Sequence, residues 1–355
     1  MYYRRPLHVL SGVYRPLQTE RYIMMTMGGY WPIIQKLHNG HLGVVTRDSD
    51  FHVGERGRLV FVHSPDGGES WSHSIVISED GQDNRNPAFG VTKNGTLLAS
   101  FIKQVNYTDG ASDPVLKNPT PLYISRSEDN GLTWTTELAK VEGPGEYTSP
   151  DNGFIISSPF GKMITRSDGS VMMHYHTKGG VTWFITSNDD GHTWNSPTLI
   201  ADGGYNETGL CDLGDGRFLA VFRSNGDGSL SQAHSDDNGE TWSSPVQITE
   251  ATEHPGDVIK LADGRILLTY GRRTTPFGIL GLISHDDGKT WDTNNRLLLV
   301  ADAGNDQGYP SNIQRDDGAI VTIYYSDQLI VSRRPRPNII GIHGASVIYK
   351  PEDLP

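Results

Sequence analysis

Three stretches of this chain place chemically capable residues at the ends of strand-like runs. Asn206-Glu207-Thr-Gly-Leu-Cys-Asp-Leu-Gly-Asp215-Gly216-Arg217-Phe-Leu-Ala-Val-Phe-Arg223 has a glutamate at its head, an Asp-Gly turn in its middle and an arginine at its far end. A hairpin folded at the turn returns Arg223 to the end that Glu207 occupies. Such a pair is either a surface ion pair or two members of a site, and the segment alone leaves both open. Gly308-Tyr309-Pro310-Ser311-Asn312 likewise stands ahead of a run that turns at Asp317-Gly318. A phenol ionises near about 10, so it attacks carbon at neutral pH only beside a base. The third stretch, from His254 to Tyr270-Gly271-Arg272-Arg273, ends in two guanidinium groups, whose planar forks suit a carboxylate. Adjacent strand residues face opposite ways, so one of Arg272 and Arg273 is expected to face a site. His174-Tyr175-His176 has strand metal-ligand spacing, but no third ligand accompanies it and no metal is expected.

The elements that hold these residues repeat. S-x-D-x-G-x-[ST]-W occurs five times, beginning at Ser64, Ser127, Ser187, Ser235 and Ser284. Ser and Asp can bond the turn's own amides, Gly supplies positive φ, and Trp packs beneath. Five of the seven tryptophans belong to these boxes, so tryptophan is here mainly structural. Turn pairs followed by strand-like runs recur at Asn39-Gly40, Asn94-Gly95, Asp168-Gly169, Asp215-Gly216, Asp263-Gly264 and Asp317-Gly318. Each unit then holds two hairpins, which predicts an all-β, six-bladed β-propeller of four-stranded antiparallel blades, read as one domain over residues 1–355. Runs at Leu7–Val13 and Asn338–Tyr349 are expected to close the ring. The segments 104–122 and 141–160 read as long loops, with Asp151 and Asn152 as partners for sugar hydroxyls.

Composition removes several function classes. One cysteine among 355 residues excludes an internal disulfide framework and a multi-cysteine zinc site. A net charge of −12 argues against nucleic acid as partner. No apolar run is long enough to span a membrane, and none follows Arg4-Arg5 as an export signal requires, so the expectation is a soluble protein, cytoplasmic or exported with its signal removed.

The fivefold box on six units resembles the Asp-box, or BNR-repeat, propellers of the sialidase (neuraminidase) superfamily over nearly the whole chain. Boxes in that family face away from the substrate, so the resemblance places a site on the other rim. It implies Tyr309 as nucleophile, Glu207 as its base, and Arg223 with Arg272 or Arg273 as arms of a carboxylate clamp, with no cofactor. The family's first arginine falls at Trp31 in Tyr30-Trp31-Pro32-Ile33, where an indole would either offer a sugar ring a flat face or simply pack; Arg4, Arg5, Arg47 or Arg85 could substitute for the missing arm. The acid/base position falls in Arg47-Asp48-Ser49-Asp50-Phe51-His52, nearest His52, with Asp50 close and Asp48 behind. A histidine there would be oriented by Asp50 or Asp48. The implied activity is an exo-α-sialidase releasing terminal sialic acid with retention from a glycan. The alternatives are a propeller exo-glycosidase on a uronic acid, Kdo-type, rhamnose or arabinose residue, a non-catalytic carbohydrate-binding propeller, and a lyase using Tyr and His.

Overall fold

The computed structural model describes residues 14–104, 107–108, 111–112, 120–142, 155–177, 179–301, 303–330 and 339–355. Arg4, Arg5, the run Leu7–Val13, Asp151, Asn152 and most of the two long loops lie outside them. Six four-stranded antiparallel sheets follow one another along the chain. Blade 1 is Gly28–Lys36, Leu42–Asp48, Arg58–Ser64 and Ile75–Ser78; blade 2 is Asp83–Val91, Leu97–Gln104, Thr120–Ser127 and Thr135–Leu138. The inner strand of blade 3 is broken into Ser158–Pro159 and Ile164–Thr165, followed outward by Val171–Thr177, Val181–Ser187 and Thr198–Ala201. Blade 4 is Tyr205–Gly214, Arg217–Ser224, Leu230–Ser235 and Val246–Gln247; blade 5 is Glu253–Lys260, Ile266–Arg272, Gly278–Ser284 and Arg296–Val300. Blade 6 takes Gln307–Gln314, Ile320–Ser326 and His343–Tyr349 from late in the chain and Glu20–Thr26 from its beginning. Each blade's first strand is innermost, and that of blade 6 packs against that of blade 1, so the ring is closed.

The late run expected to close the ring does so through His343–Tyr349, but its early partner is a strand that was not expected. Glu20–Thr26 pairs antiparallel with His343–Tyr349, and Tyr14–Pro16 adds a fifth, parallel strand to blade 5. Glu20–Thr26 is the outermost strand of its blade and mostly faces water, so it lacks the apolar run by which strands were sought.

Each blade is sandwiched between two others, which buries its middle strands on both faces. Leu59, Val60 and Phe61, and likewise Ile266, Leu267 and Leu268, are 0% exposed. Each such side chain contributes about 1.5–3 kcal/mol by leaving water. Among the described residues there is no α-helix, only two 3₁₀ turns, and no helix is long and apolar enough to cross a membrane.

All five boxes make one set of bonds. In the box at Ser187, the Ser187 hydroxyl donates to Asp189 Oδ1 at 2.8 Å and accepts from Gly191 N at 2.8 Å, while Asp189 takes Thr193 N at 2.8 Å and the Thr193 hydroxyl at 2.6 Å. The box tips also latch neighbouring blades together: Asp190 accepts from Thr96, Asn94 and Arg126 of blade 2, and Asp287 accepts from Arg217 of blade 4. Boxes and Asx-Gly turns share one rim. The heads of the inner strands and the ends of the second strands lie at the other.

Candidate active site

At that second rim, five inner strands carry the same irregularity. Three steps along the first strand oppose two along the second between Tyr30 and Ile33, Arg85 and Ala88, Asn206 and Gly209, Glu253 and Gly256, and Gly308 and Ser311. The extra residue is a bulge that bends the strand and re-aims a side chain. Four non-glycine residues in these bulges have positive φ: Trp31 at 51°, Asn86 at 55°, Glu207 at 41° and Tyr309 at 50°. Such backbone costs of order 1–3 kcal/mol apiece and is held only where the surroundings force it. In blade 3 the inner strand breaks at the corresponding place, beside Phe160 and Gly161.

The bulges bring together residues far apart in the chain. The Tyr309 hydroxyl donates to Glu207 Oε1, 102 residues away. Arg223 Nη1 donates to the other oxygen, Glu207 Oε2, at 3.0 Å. Burial alone would raise the Glu207 carboxyl, but Arg223 and the Tyr309 hydroxyl hold it below the usual carboxylate range. Burial, and then Glu207 itself, push the Tyr309 phenol well up, so the resting pair is a neutral phenol on an ionised carboxylate. Arg273 lies with its guanidinium carbon 5.5 Å from the centre of the Tyr309 ring, donating to Gln307 O at 3.1 Å and the Tyr325 hydroxyl at 3.3 Å. Phe160 meets the Tyr309 ring edge-on at 5.4 Å and Trp31 at 6.3 Å. The His52 ring also stands edge-on to Trp31, at 5.2 Å, and its Nδ1 lies 3.0 Å from Asp306 Oδ1. His254 is neutral: burial, then Arg223 and Arg273, push it down to about 3. This arrangement can transfer a proton from phenol to carboxylate, hold an anion between guanidinium groups and exchange a second proton at His52.

A profile of the BNR repeat-like domain matches residues 60–323. The chain belongs to that family. Its propeller is similar to the crystal structure of a protein of unknown function from Dyadobacter fermentans, at TM-score 0.73 and 21% identity, covering 96% of this chain and 99% of that one. It is also similar to the Hadza microbial sialidase Hz136, at TM-score 0.71 and 21% identity over 92% of this chain and 66% of that one. Penicillium chrysogenum α-L-arabinanase complexed with arabinobiose aligns at TM-score 0.61 and 14% identity, over 94% and 98% of the two chains. No match was found among curated proteins.

In this BNR propeller several residues expected at the site are engaged otherwise. Trp31 is only 1% exposed, with Arg85 over its ring at 4.7 Å and Arg47 at 5.5 Å, so it is a pier beneath the site and offers no open face to a sugar. Arg47 is fully buried: it pairs with Asp83 at 2.7 Å and donates to Phe51 O at 2.7 Å and Gly54 O at 3.2 Å, anchoring the loop that carries His52. Arg85 is tied to Asp83 at 3.1 Å and holds His52 O at 3.3 Å. Asp50 binds amides of its own loop, Phe51 N at 2.8 Å and Arg56 N at 2.9 Å, and Asp48 pairs with Arg58 at 2.6 Å; neither orients His52. Arg272 sits directly opposite Glu253 in register and pairs with it at 2.7 Å, away from Tyr309, whereas Arg273, one residue on, reaches the centre. Among the described residues no group of three His, Cys, Asp or Glu could hold a metal.

Sequence reasoning missed Asp306, Tyr325 and the pairing role of Asp83. One signal was available for the bulges. Trp31, Asn86, His254 and Tyr309 each precede a proline, Pro32, Pro87, Pro255 and Pro310. Proline has no N–H to give a ladder, so its recurrence at strand heads marks an unpaired position.

Proposed function

We propose that this BNR propeller is a retaining exo-glycosidase of sialidase type. Tyr309 attacks the anomeric carbon as its proton passes to Glu207, His52 protonates the departing oxygen, and water then releases the sugar from Tyr309. Arg223 and Arg273 flank the sugar and hold a carboxylate on it, which makes a sialoside the first substrate to test. The observation that carries this reading is the Tyr309 hydroxyl on Glu207, with both residues in matching strained bulges at the ring's centre. A neutral phenol relayed through a carboxylate suits an anomeric carbon that already bears a negative group, because charge repulsion is lower. The named sialidase among the similar structures supports the same reading. The test is hydrolysis of a methylumbelliferyl α-sialoside by wild type and Tyr309→Phe, with a fluorinated sialosyl donor to trap the covalent intermediate. Turnover undiminished in the variant, or label on another residue, overturns the assignment.

A second reading changes the sugar and keeps the machinery. Arg47 and Arg85 are both committed to Asp83, and Trp31 fills the place of the first arginine, so among the described residues two guanidinium groups rather than three stand beside the Tyr309–Glu207 pair. A missing charged hydrogen bond weakens carboxylate binding by about 1.5–3 kcal/mol. This favours a different acidic or a neutral glycone, and a panel of aryl glycosides that includes arabinosides, rhamnosides and uronides separates the two.

A further inference from the structure

Beside the Tyr309–Glu207 pair, with the Tyr325 ring 5.8 Å from that of Tyr309, lies a second hydrogen-bonded cluster. His52 Nδ1 is 3.0 Å from Asp306 Oδ1 and 3.1 Å from Oδ2. The Tyr325 hydroxyl donates to Asp306 Oδ1 at 2.7 Å and accepts from Arg273 Nη2 at 3.3 Å, linking this cluster to the guanidinium beside Tyr309. The imidazole is boxed by rings, edge-on to Tyr30 at 5.6 Å, Trp31 at 5.2 Å and Tyr325 at 6.3 Å. An ionised carboxylate has no hydrogen to give, so the proton on Nδ1 belongs to His52 and Nε2 is the nitrogen that can serve a ligand.

The charges around the ring favour this state. Asp306 bonds the imidazole directly, and His52, Tyr325 and Arg273 keep its carboxyl below the usual range although burial works against them. Asp327, next to Asp306, is raised by burial, which weakens it as a rival anion. Tyr325 is held well above a normal phenol, chiefly by burial, and Tyr30 is pushed up to about 12 by the same cause, so both are neutral. Arg85 donates to the His52 carbonyl at 3.3 Å, Arg47 pairs with Asp83 and holds the loop's carbonyls, and Asp50 binds amides of the loop.

We infer that Asp306 is the positioning residue that makes His52 the proton donor to the leaving group, with Tyr325 fixing Asp306 in place. The inference rests on the glycosidase reading. In the step, the bond between the anomeric carbon and the glycosidic oxygen breaks with its electron pair on oxygen, and that oxygen takes the proton from His52 Nε2. The neutral imidazole then takes a proton from the water that displaces Tyr309, which recovers its own proton from Glu207, so both residues return to their starting state.

The test uses Asp306→Asn, Tyr325→Phe and His52→Gln. In ¹⁵N-labelled protein the two ring-nitrogen shifts of wild-type His52 report a proton held on Nδ1, and Asp306→Asn, whose amide can donate as well as accept, loses that preference. With nitrophenyl and methyl glycosides of the glycone selected by the panel above, sialosides first, Asp306→Asn loses about 10²-fold in kcat/KM on the methyl glycoside and less than about tenfold on the nitrophenyl glycoside, whose leaving group departs unaided. Tyr325→Phe shows the same pattern more weakly, and Tyr309 is still trapped in all three variants. Equal losses on the two glycosides, or unchanged His52 ring-nitrogen shifts, overturn the inference. Absence of turnover and of trapping in wild type overturns the glycosidase reading instead, and the ring-nitrogen shifts still report whether Asp306 holds His52.

Discussion

The two rims of this propeller are built on opposite rules. On the box rim, one set of bonds is repeated blade after blade, and its residues are interchangeable between copies. On the other rim, one backbone irregularity is repeated, and the residue it presents differs each time: Trp31, Asn86, Glu207, His254 and Tyr309. Repetition of side chains thus belongs to cohesion here, and repetition of backbone presents a different side chain from each blade. A ring makes this division possible, because each blade supplies one position around the axis while the far rim does the fastening.

The sharpest way to break this contrast is Glu207→Gln. If the bulge rim is catalytic, turnover falls by about 10²–10⁴-fold with little change in melting temperature, measured by steady-state kinetics and calorimetry. Next come two neighbours, Arg272→Ala and Arg273→Ala. The first removes one of two guanidinium groups that pair with the buried Glu253 carboxylate, 0% exposed as a side chain, the other being Arg296 at 3.1 Å, and costs about 1.5–3 kcal/mol of stability in denaturant titration. The second lowers kcat/KM and leaves stability nearly intact, so the two phenotypes cross over. On the box rim, Asp189→Ala removes bonds to Ser187 and Thr193 and costs about 1–3 kcal/mol, with kcat/KM unchanged. Loss of activity in Asp189→Ala at a temperature where it remains folded would erase the division between rims.

The smallest effect is one of pH. Burial lowers His174 from 6.5 to about 4 and His254 from 6.5 to about 3, so the unfolded chain binds protons that the folded one refuses. Their contribution is complete above the unfolded value of 6.5 and is lost as pH falls through that window toward about 4 and then 3. Asp129 of a box, lowered to about 2 chiefly by Thr133, stays ionised throughout that range. Melting temperature therefore declines between pH 6.5 and 4, and His174→Gln flattens the decline; an unchanged slope in that variant contradicts the assignment.

The architecture was legible because it is local. A box of eight residues and a two-residue turn carry their own chemistry, and their count and spacing fix the number of blades. Glu207 with Arg223 was legible for the same reason, since one hairpin joins them. What could not be read was set by ring neighbours. Asp306 meets His52 across 254 residues, and nothing near either residue marks the other. Arg272 and Arg273 are separable only once the bulge at Glu253 fixes which of them faces the inner strand. Trp31 could be read as a sugar platform or as plain packing, because sequence shows an aromatic residue but not the guanidinium groups stacked on it.

Blade 6 joins Glu20–Thr26 to His343–Tyr349, so its hydrogen bonds span more than three hundred residues of chain. During synthesis the early strand emerges with no partner and stays unmatched while five blades are made behind it. Final assembly then depends on the last segment arriving, and an interrupted chain is left with an open seam between blades 5 and 1, beside Tyr30 and Trp31, the floor on which His52 rests.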